Sequence, residues 1–203
     1  MNSRQTPNIN KNVTPYIVSD PIGIDVPVKA LQAQFAASLS WLTKSFARAT
    51  IRSNTNTGGT TQIFPACWVA EKKDEFAMIG NDNWNAYSFM VASGIETAPD
   101  YNQFGGNRYE RELSIYFWFN IYAIDSTKSG AELMEGFRHE ILNSITEMQT
   151  AADFELIGVV DNPEAIYDGF TLSDETTTQR LYYPYGALRF DFNVTYDGVE
   201  SCN

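Results

Sequence analysis

Histidine is almost missing from this sequence: His139 is the only one in 203 residues. Any Ser-His-Asp or Cys-His arrangement would have to use it. It falls in the middle of a helical pattern, on the polar side of that pattern, with no convergent nucleophile and orienting group in view. Cysteine is nearly as scarce. Cys67 and Cys202 are too few for a disulfide scaffold, and with a single histidine they leave no set for a structural zinc site. Cys67 lies in an apolar run and is expected to be free and buried. No stretch reaches the roughly 20 apolar residues of a membrane helix. The N-terminus lacks a basic-then-apolar secretory signal, so a cytosolic chain, or one assembled in a cytosol, is expected. Basic side chains are also few: 14 Lys and Arg stand against 25 Asp and Glu, for a net charge of -11. Such a chain repels nucleic-acid phosphate, which disfavours a DNA-gripping role.

Nucleotide-binding glycine loops are absent too. There is no G-x-x-x-x-G-K-[ST] and no G-x-G-x-x-G, and the pairs Gly58-Gly59 and Gly105-Gly106 read as turns. Asp161, Glu164, Asp168, Asp174 and Glu175 could in principle offer hard oxygen ligands to calcium or magnesium. Their spacing fits no EF-hand loop, and they read as solvated loop acids. No catalytic, cofactor-binding or metal-binding residue is therefore expected.

What the sequence does hold is apolar and aromatic bulk. It is 43% hydrophobic and 14% aromatic, with 13 Phe, 11 Tyr and 4 Trp. That argues for a packed core and against disorder, and a chain of this length can bury roughly 70% of its unfolded surface without metal or disulfides. Tyr and Trp also suit surfaces where one end of a side chain is buried and the other wet.

Residues 1–26 are rich in Asn, Ser, Thr and Pro and predict an extended arm, made adhesive by Tyr16, Ile17, Val18, Ile22 and Ile24. A single α+β domain is expected over 27–203. Its first helix is capped by Asp25, with Pro27 in the first turn. Its apolar stripe runs through Val28, Leu31, Phe35, Leu39, Leu42 and Phe46. Lys44, Arg48 and Arg52 would then complement the dipole at its end. Residues 54–61 read as a turn. Residues 63–70 form a strand that Pro65 would confine to an edge or a bulge, and 84–92 a second strand. Residues 93–111 read as a polar loop.

Residues 113–124 predict the clearest strand, with Leu113, Ile115, Phe117, Phe119, Ile121 and Ala123 on a core face. Ser114, Tyr116, Trp118, Asn120 and Tyr122 share the other face, which suits either a helix of the same chain or a partner subunit. Ser129 and Glu132 form a capping box for a helix striped by Leu133, Phe137, Ile141, Ile145 and Met148. Residues 154–160 make another strand, and 161–173 a loop anchored by Ile166, Tyr167 and Phe170. Leu188, Phe190, Phe192, Val194 and Tyr196 alternate with polar residues, as in a half-exposed antiparallel strand. The expected fold is a mixed, mainly antiparallel sheet packed by two main helices.

The segments ERELSIYFWFNIYAID, GAELMEGFRHEILNSITEM and YYPYGALRFDFNVTYDG, in that order, resemble the phage tail-terminator or tail-completion family of head–tail connector and neck proteins. The composition also resembles that of crAss-like phages that infect Bacteroides. The resemblance spans about residues 28–198; the Asn-rich arm and the 93–111 stretch depart from the family's compact pattern. It implies a structural virion protein, assembled in the host bacterial cytoplasm. It further implies a homo-oligomeric ring of six or twelve copies that meets portal or connector and tail proteins. Viral DNA would pass the lumen without specific binding. Candidate interface residues are Tyr16, Ile17 and Ile22 on the arm, Tyr101, Phe104 and Arg108 in the 93–111 stretch, and Tyr116 and Trp118 on the aromatic strand. The alternative is a carbohydrate- or small-ligand-binding module using exposed aromatics such as Trp84 or Trp118.

Overall fold

The structure is a computed structural model and describes residues 21–55, 58–69, 73–80, 84–101, 107–148, 152–173 and 179–198. Most of the predicted arm, Tyr16 and Ile17 included, lies outside the described residues, as do Phe104 and Cys202. The elements run α1 (Asp25–Ser38), β1 (Lys44–Arg48), β2 (Thr50–Thr55), β3 (Thr61–Val69), β4 (Asp74–Ala77), β5 (Ala86–Tyr101) and β6 (Asn107–Asn120). They continue through α2 (Ile121–Ile124), α3 (Gly130–Thr146), β7 (Asp153–Val160) and β8 (Tyr185–Asp197).

The fold is α+β. A five-stranded sheet in the order β1-β5-β6-β8-β7 is parallel only between β1 and β5, and β2-β3-β4 form a separate antiparallel sheet. Helices α1 and α3 cover one face of the large sheet. Val28, Leu31 and Phe35 of α1 and Leu133, Phe137, Ile141 and Ile145 of α3 share a core with Leu113, Ile115, Phe117 and Phe119. Leu188, Phe190, Phe192 and Val194 complete it. The two helices also meet directly: Trp41 Nε1 donates to Glu140 Oε2 at 2.8 Å, and the Ser38 and Ser144 hydroxyls share a hydrogen bond of 2.6 Å. The predicted capping box of Ser129 and Glu132 opens α3.

The small sheet and residues 161–173 close over part of the other face. There Phe46, Cys67, Val69, Met78, Tyr87, Phe89, Tyr116, Trp118, Ile166 and Tyr167 make a second core. Cys67 is free and buried, as expected, and burial pushes its thiol pKa well up.

Several expectations are corrected. Helix α1 stops at Ser38, and Asp25 sits in its first turn rather than capping it. Leu39 and Leu42 remain in the helix-side core, but Phe46 belongs to β1 and points into the second core. The apolar spacing continues past the helix end because consecutive elements feed both faces of one sheet. Lys44, Arg48 and Arg52 accordingly lie on strands. Arg48 Nε donates to Asp25 Oδ1 at 2.7 Å, tying β1 back to the start of α1.

Strand β3, for which Pro65 predicted an edge or a bulge, is central in its sheet and pairs with β2 through Pro65 without a register shift. Pro65 is tolerated because its missing N–H falls where β4 ends. Met78 donates its N–H to the Pro65 carbonyl, but proline returns no donor to Met78. The Tyr167 hydroxyl supplies it, donating to the Met78 carbonyl at 2.7 Å.

Residues 93–111 are not a loop. They extend β5 and β6 into a long antiparallel hairpin, with Thr97 opposite Glu110 and Asp100 opposite Arg108. Strand β6 ends at Asn120, whose side chain caps the short helical turn α2 in which Ile121 is buried.

Candidate functional site

Three surfaces of the described residues stand out. The first is the free edge of β7. Phe154 and Val159 of this strand pack on the helix-side core. Leu156 and Ile157 do not: they are 43% and 58% exposed. A register shift between Leu156 and Gly158 interrupts the pairing with β8 at this point and leaves Ile157 outside both cores. The opposite edge, β1, is closed by the chain itself. Gln32, 2% exposed on α1, donates its Nε2 to the Ser45 carbonyl at 2.7 Å.

The second surface is the hairpin of β5 and β6. Beyond the core its residues 93–97 are exposed, and Ile95 is the most exposed large apolar side chain described, at 86%. Its base is held by polar contacts. Tyr196 donates its hydroxyl to Glu96, burial and that carboxylate pushing the phenol pKa well up. Arg108 pairs with Asp153 of β7. The predicted Tyr101 closes β5 opposite Asn107, its side chain outside the described ones. Ile22 is exposed just before α1, and the neighbouring Gly23 lies against the Tyr196 ring, beside the hairpin base. The structure thus brings Ile22, Arg108 and the hairpin to one end of the molecule.

Tyr116 and Trp118, by contrast, are 4% and 0% exposed. The chain itself covers those two rings: Tyr167 and Phe170 lie against Tyr116, and Arg180 and Tyr185 against Trp118. Tyr116 stacks on Phe89 with ring centroids 4.7 Å apart, and Trp118 Nε1 donates to the Arg180 carbonyl at 2.6 Å. The polar tip of Trp118 has its partner within the chain, which removes it from the interface candidates and from any glycan platform, whereas Tyr116 meets solvent only in the lining of a groove. Trp84 packs against Phe46 at 4.9 Å. Among the described residues the exposed aromatics are Trp68 on β3 and Tyr122, Tyr182 and Tyr183 near α2.

The third surface is a half-open groove of about 500 Å³ on the face of the large sheet that the small sheet leaves bare. Glu112 and Ser114 of β6 and Arg189 and Asp191 of β8 form its floor, with Ile51 of β2, Ile157 of β7 and Phe170 as walls, so it adjoins the first surface at Ile157. Ser114 donates to Asp191 at 2.6 Å, and Arg189 Nε donates to the same carboxylate at 3.1 Å. Arg189 Nη1 donates to the carbonyls of Ala165 and Ile166, pinning the 161–173 segment down. Burial pushes the Tyr116 phenol at the inner end up to about 12.

Sequence reasoning missed the β7 edge and the groove. Leu156 and Ile157 carried a signal: consecutive apolar residues of one strand point to opposite faces, so one of them must leave the core. The groove needed the β6–β8 register, which places Ser114 opposite Asp191. Among the described residues no nucleophile is placed beside His139. It is exposed on α3, within hydrogen-bond distance of Asn143 at 3.0 Å, on the opposite side of the large sheet from Cys67. Among the described residues no group of three or more His, Cys, Asp or Glu is placed to hold a metal; Asp174 and Glu175 lie outside them. Compared with known protein families and with curated proteins, the chain matches none.

Proposed function

We propose that this chain is a structural protein of a phage neck or tail, which joins copies of itself into a ring and stacks on portal or connector and tail proteins. The observation that carries the reading is the difference between the two edges of the large sheet. One is plugged by Gln32, and the other presents Leu156 and Ile157 to solvent. A ring needs a contact between two unlike surfaces of each copy. The β7 edge supplies one, and the hairpin with the arm root beside it supplies the other. Lone exposed apolar residues are ordinary on a monomer. Two adjacent ones on an edge strand are a liability unless covered. The net charge of -11 fits a lumen along which DNA slides without sticking.

The experiment is light scattering on the purified chain over a range of concentrations, followed by negative-stain imaging. A closed ring of six or twelve 22.8 kDa copies is expected. A strict monomer that binds glycans through Trp68 or the exposed tyrosines would replace this reading.

A further inference from the structure

We propose that the groove over Ser114 and Asp191 is the seat for the N-terminal segment, residues 1–20, of a second copy of this chain. The inference rests on the ring reading only in taking two copies to meet. Its basis is complementary chemistry. The groove presents three carboxylates, Glu112, Asp168 and Asp191, against one cation, Arg189. Arg189 and Asp191 are joined to each other and to Ser114, Ala165 and Ile166. Glu112 meets only the Ser93 hydroxyl, at 3.3 Å, and neither Glu112 nor Asp168 has an ion pair among the described residues. The walls are apolar, from Ile51, Val91, Phe170 and Ile157, the last shared with the β7 edge. The site therefore calls for cationic side chains next to an apolar stretch.

Residues 1–20 have that composition. In a chain with 25 acidic side chains they hold one, Asp20, at their very end, alongside Arg4, Lys11 and the apolar run Tyr16-Ile17-Val18. Twenty residues span up to ~65 Å when extended, enough to cross a neighbouring copy. The root of the segment and the groove lie on opposite faces of the sheet, so a segment seated in its own copy would have to wrap round a sheet edge. Gly23, at the root of the segment, lies against Tyr196, which belongs to the helix-side core. The groove opens on the opposite face of the sheet.

Two measurements test the seat, and the first needs no ring. A fluorescent synthetic peptide of residues 1–20 is titrated into full-length Arg4→Glu/Lys11→Glu protein and followed by anisotropy. Saturable binding is expected that weakens as salt rises. Adding Glu112→Lys/Asp168→Lys to that chain should weaken binding about tenfold. No binding, or binding indifferent to the groove substitutions, overturns the seat. The second measurement is a charge swap in the full chain. Arg4→Glu/Lys11→Glu and Glu112→Lys/Asp168→Lys proteins should each self-associate about tenfold more weakly than the wild type, and a mixture of the two should pair one to one. A mixture that fails to pair overturns docking in a second copy. Unchanged self-association of both variants, with an intact wild-type ring, removes the seat and leaves the ring reading standing. Circular dichroism and melting temperatures matching the wild type identify the variants as folded.

Discussion

Strands β1 and β7 both border the large sheet, and both leave backbone groups with no strand beyond them. At β1 the chain answers this itself. Gln32 reaches from α1 to the Ser45 carbonyl, and Asp25 holds Arg48. At β7 nothing comparable is built among the described residues: Leu156 and Ile157 face solvent beside a break in the ladder. The difference separates an edge tied into the fold from the one that the proposed ring would use. The two faces of the sheet repeat the contrast. Helices close one face along its length. The other is closed over Trp118 and Tyr116 and open over Ser114 and Glu112.

Breaking the closed edge should cost the most folding stability. Gln32→Leu leaves the Ser45 carbonyl buried and unpaired, for a loss of about 1–3 kcal/mol. Urea unfolding measures it, and an unchanged midpoint would remove the plug from the account. Tyr167→Phe repeats the experiment in the small sheet. The Met78 carbonyl loses the donor that Pro65 cannot provide, for about 1–2 kcal/mol.

Alkaline pH should sharpen the contrast between buried and open parts. Tyr87, Tyr116, Tyr167 and Tyr196 all have phenols raised above their ordinary value, chiefly by burial, Tyr116 to about 12. In the unfolded chain each loses its proton near pH ~10. Between ~10 and 12 the folded state holds more protons, so stability is complete below that window and falls as pH rises through it. Tyrosinate absorbance from these residues should appear together with unfolding. Gradual ionisation of all the tyrosines in an intact fold would contradict the buried placement.

The smallest effect on stability is expected at the open edge. Leu156→Lys/Ile157→Lys should shift folding by under ~0.5 kcal/mol, because both side chains are already wet.

The sequence made the parts with a single strong period legible. The capping box at Ser129 and the alternation of β8 correspond to observed elements. So do the core face of β6 and the anchors Ile166, Tyr167 and Phe170. Phe46 misled because helix and strand spacing happened to agree across the end of α1. The polar 93–111 stretch hid a hairpin because strands standing clear of a core need no apolar alternation. Pro65 looked like an edge marker because the compensating hydroxyl lies about a hundred residues further along the chain. Of the candidate contact residues, Ile22 is exposed and Arg108 is taken up in an ion pair with Asp153. Trp118 was misplaced because an aromatic face covered by connecting segments of the same chain and one covered by a partner read alike. The groove is made by register alone.

The most direct test is the solution mass of wild-type and Leu156→Lys/Ile157→Lys proteins, measured by light scattering over the same concentrations. The account predicts a mass several-fold above 22.8 kDa for the wild type and a folded 22.8 kDa monomer for the variant. A variant that assembles as the wild type does would contradict the claim that the open β7 edge joins the copies.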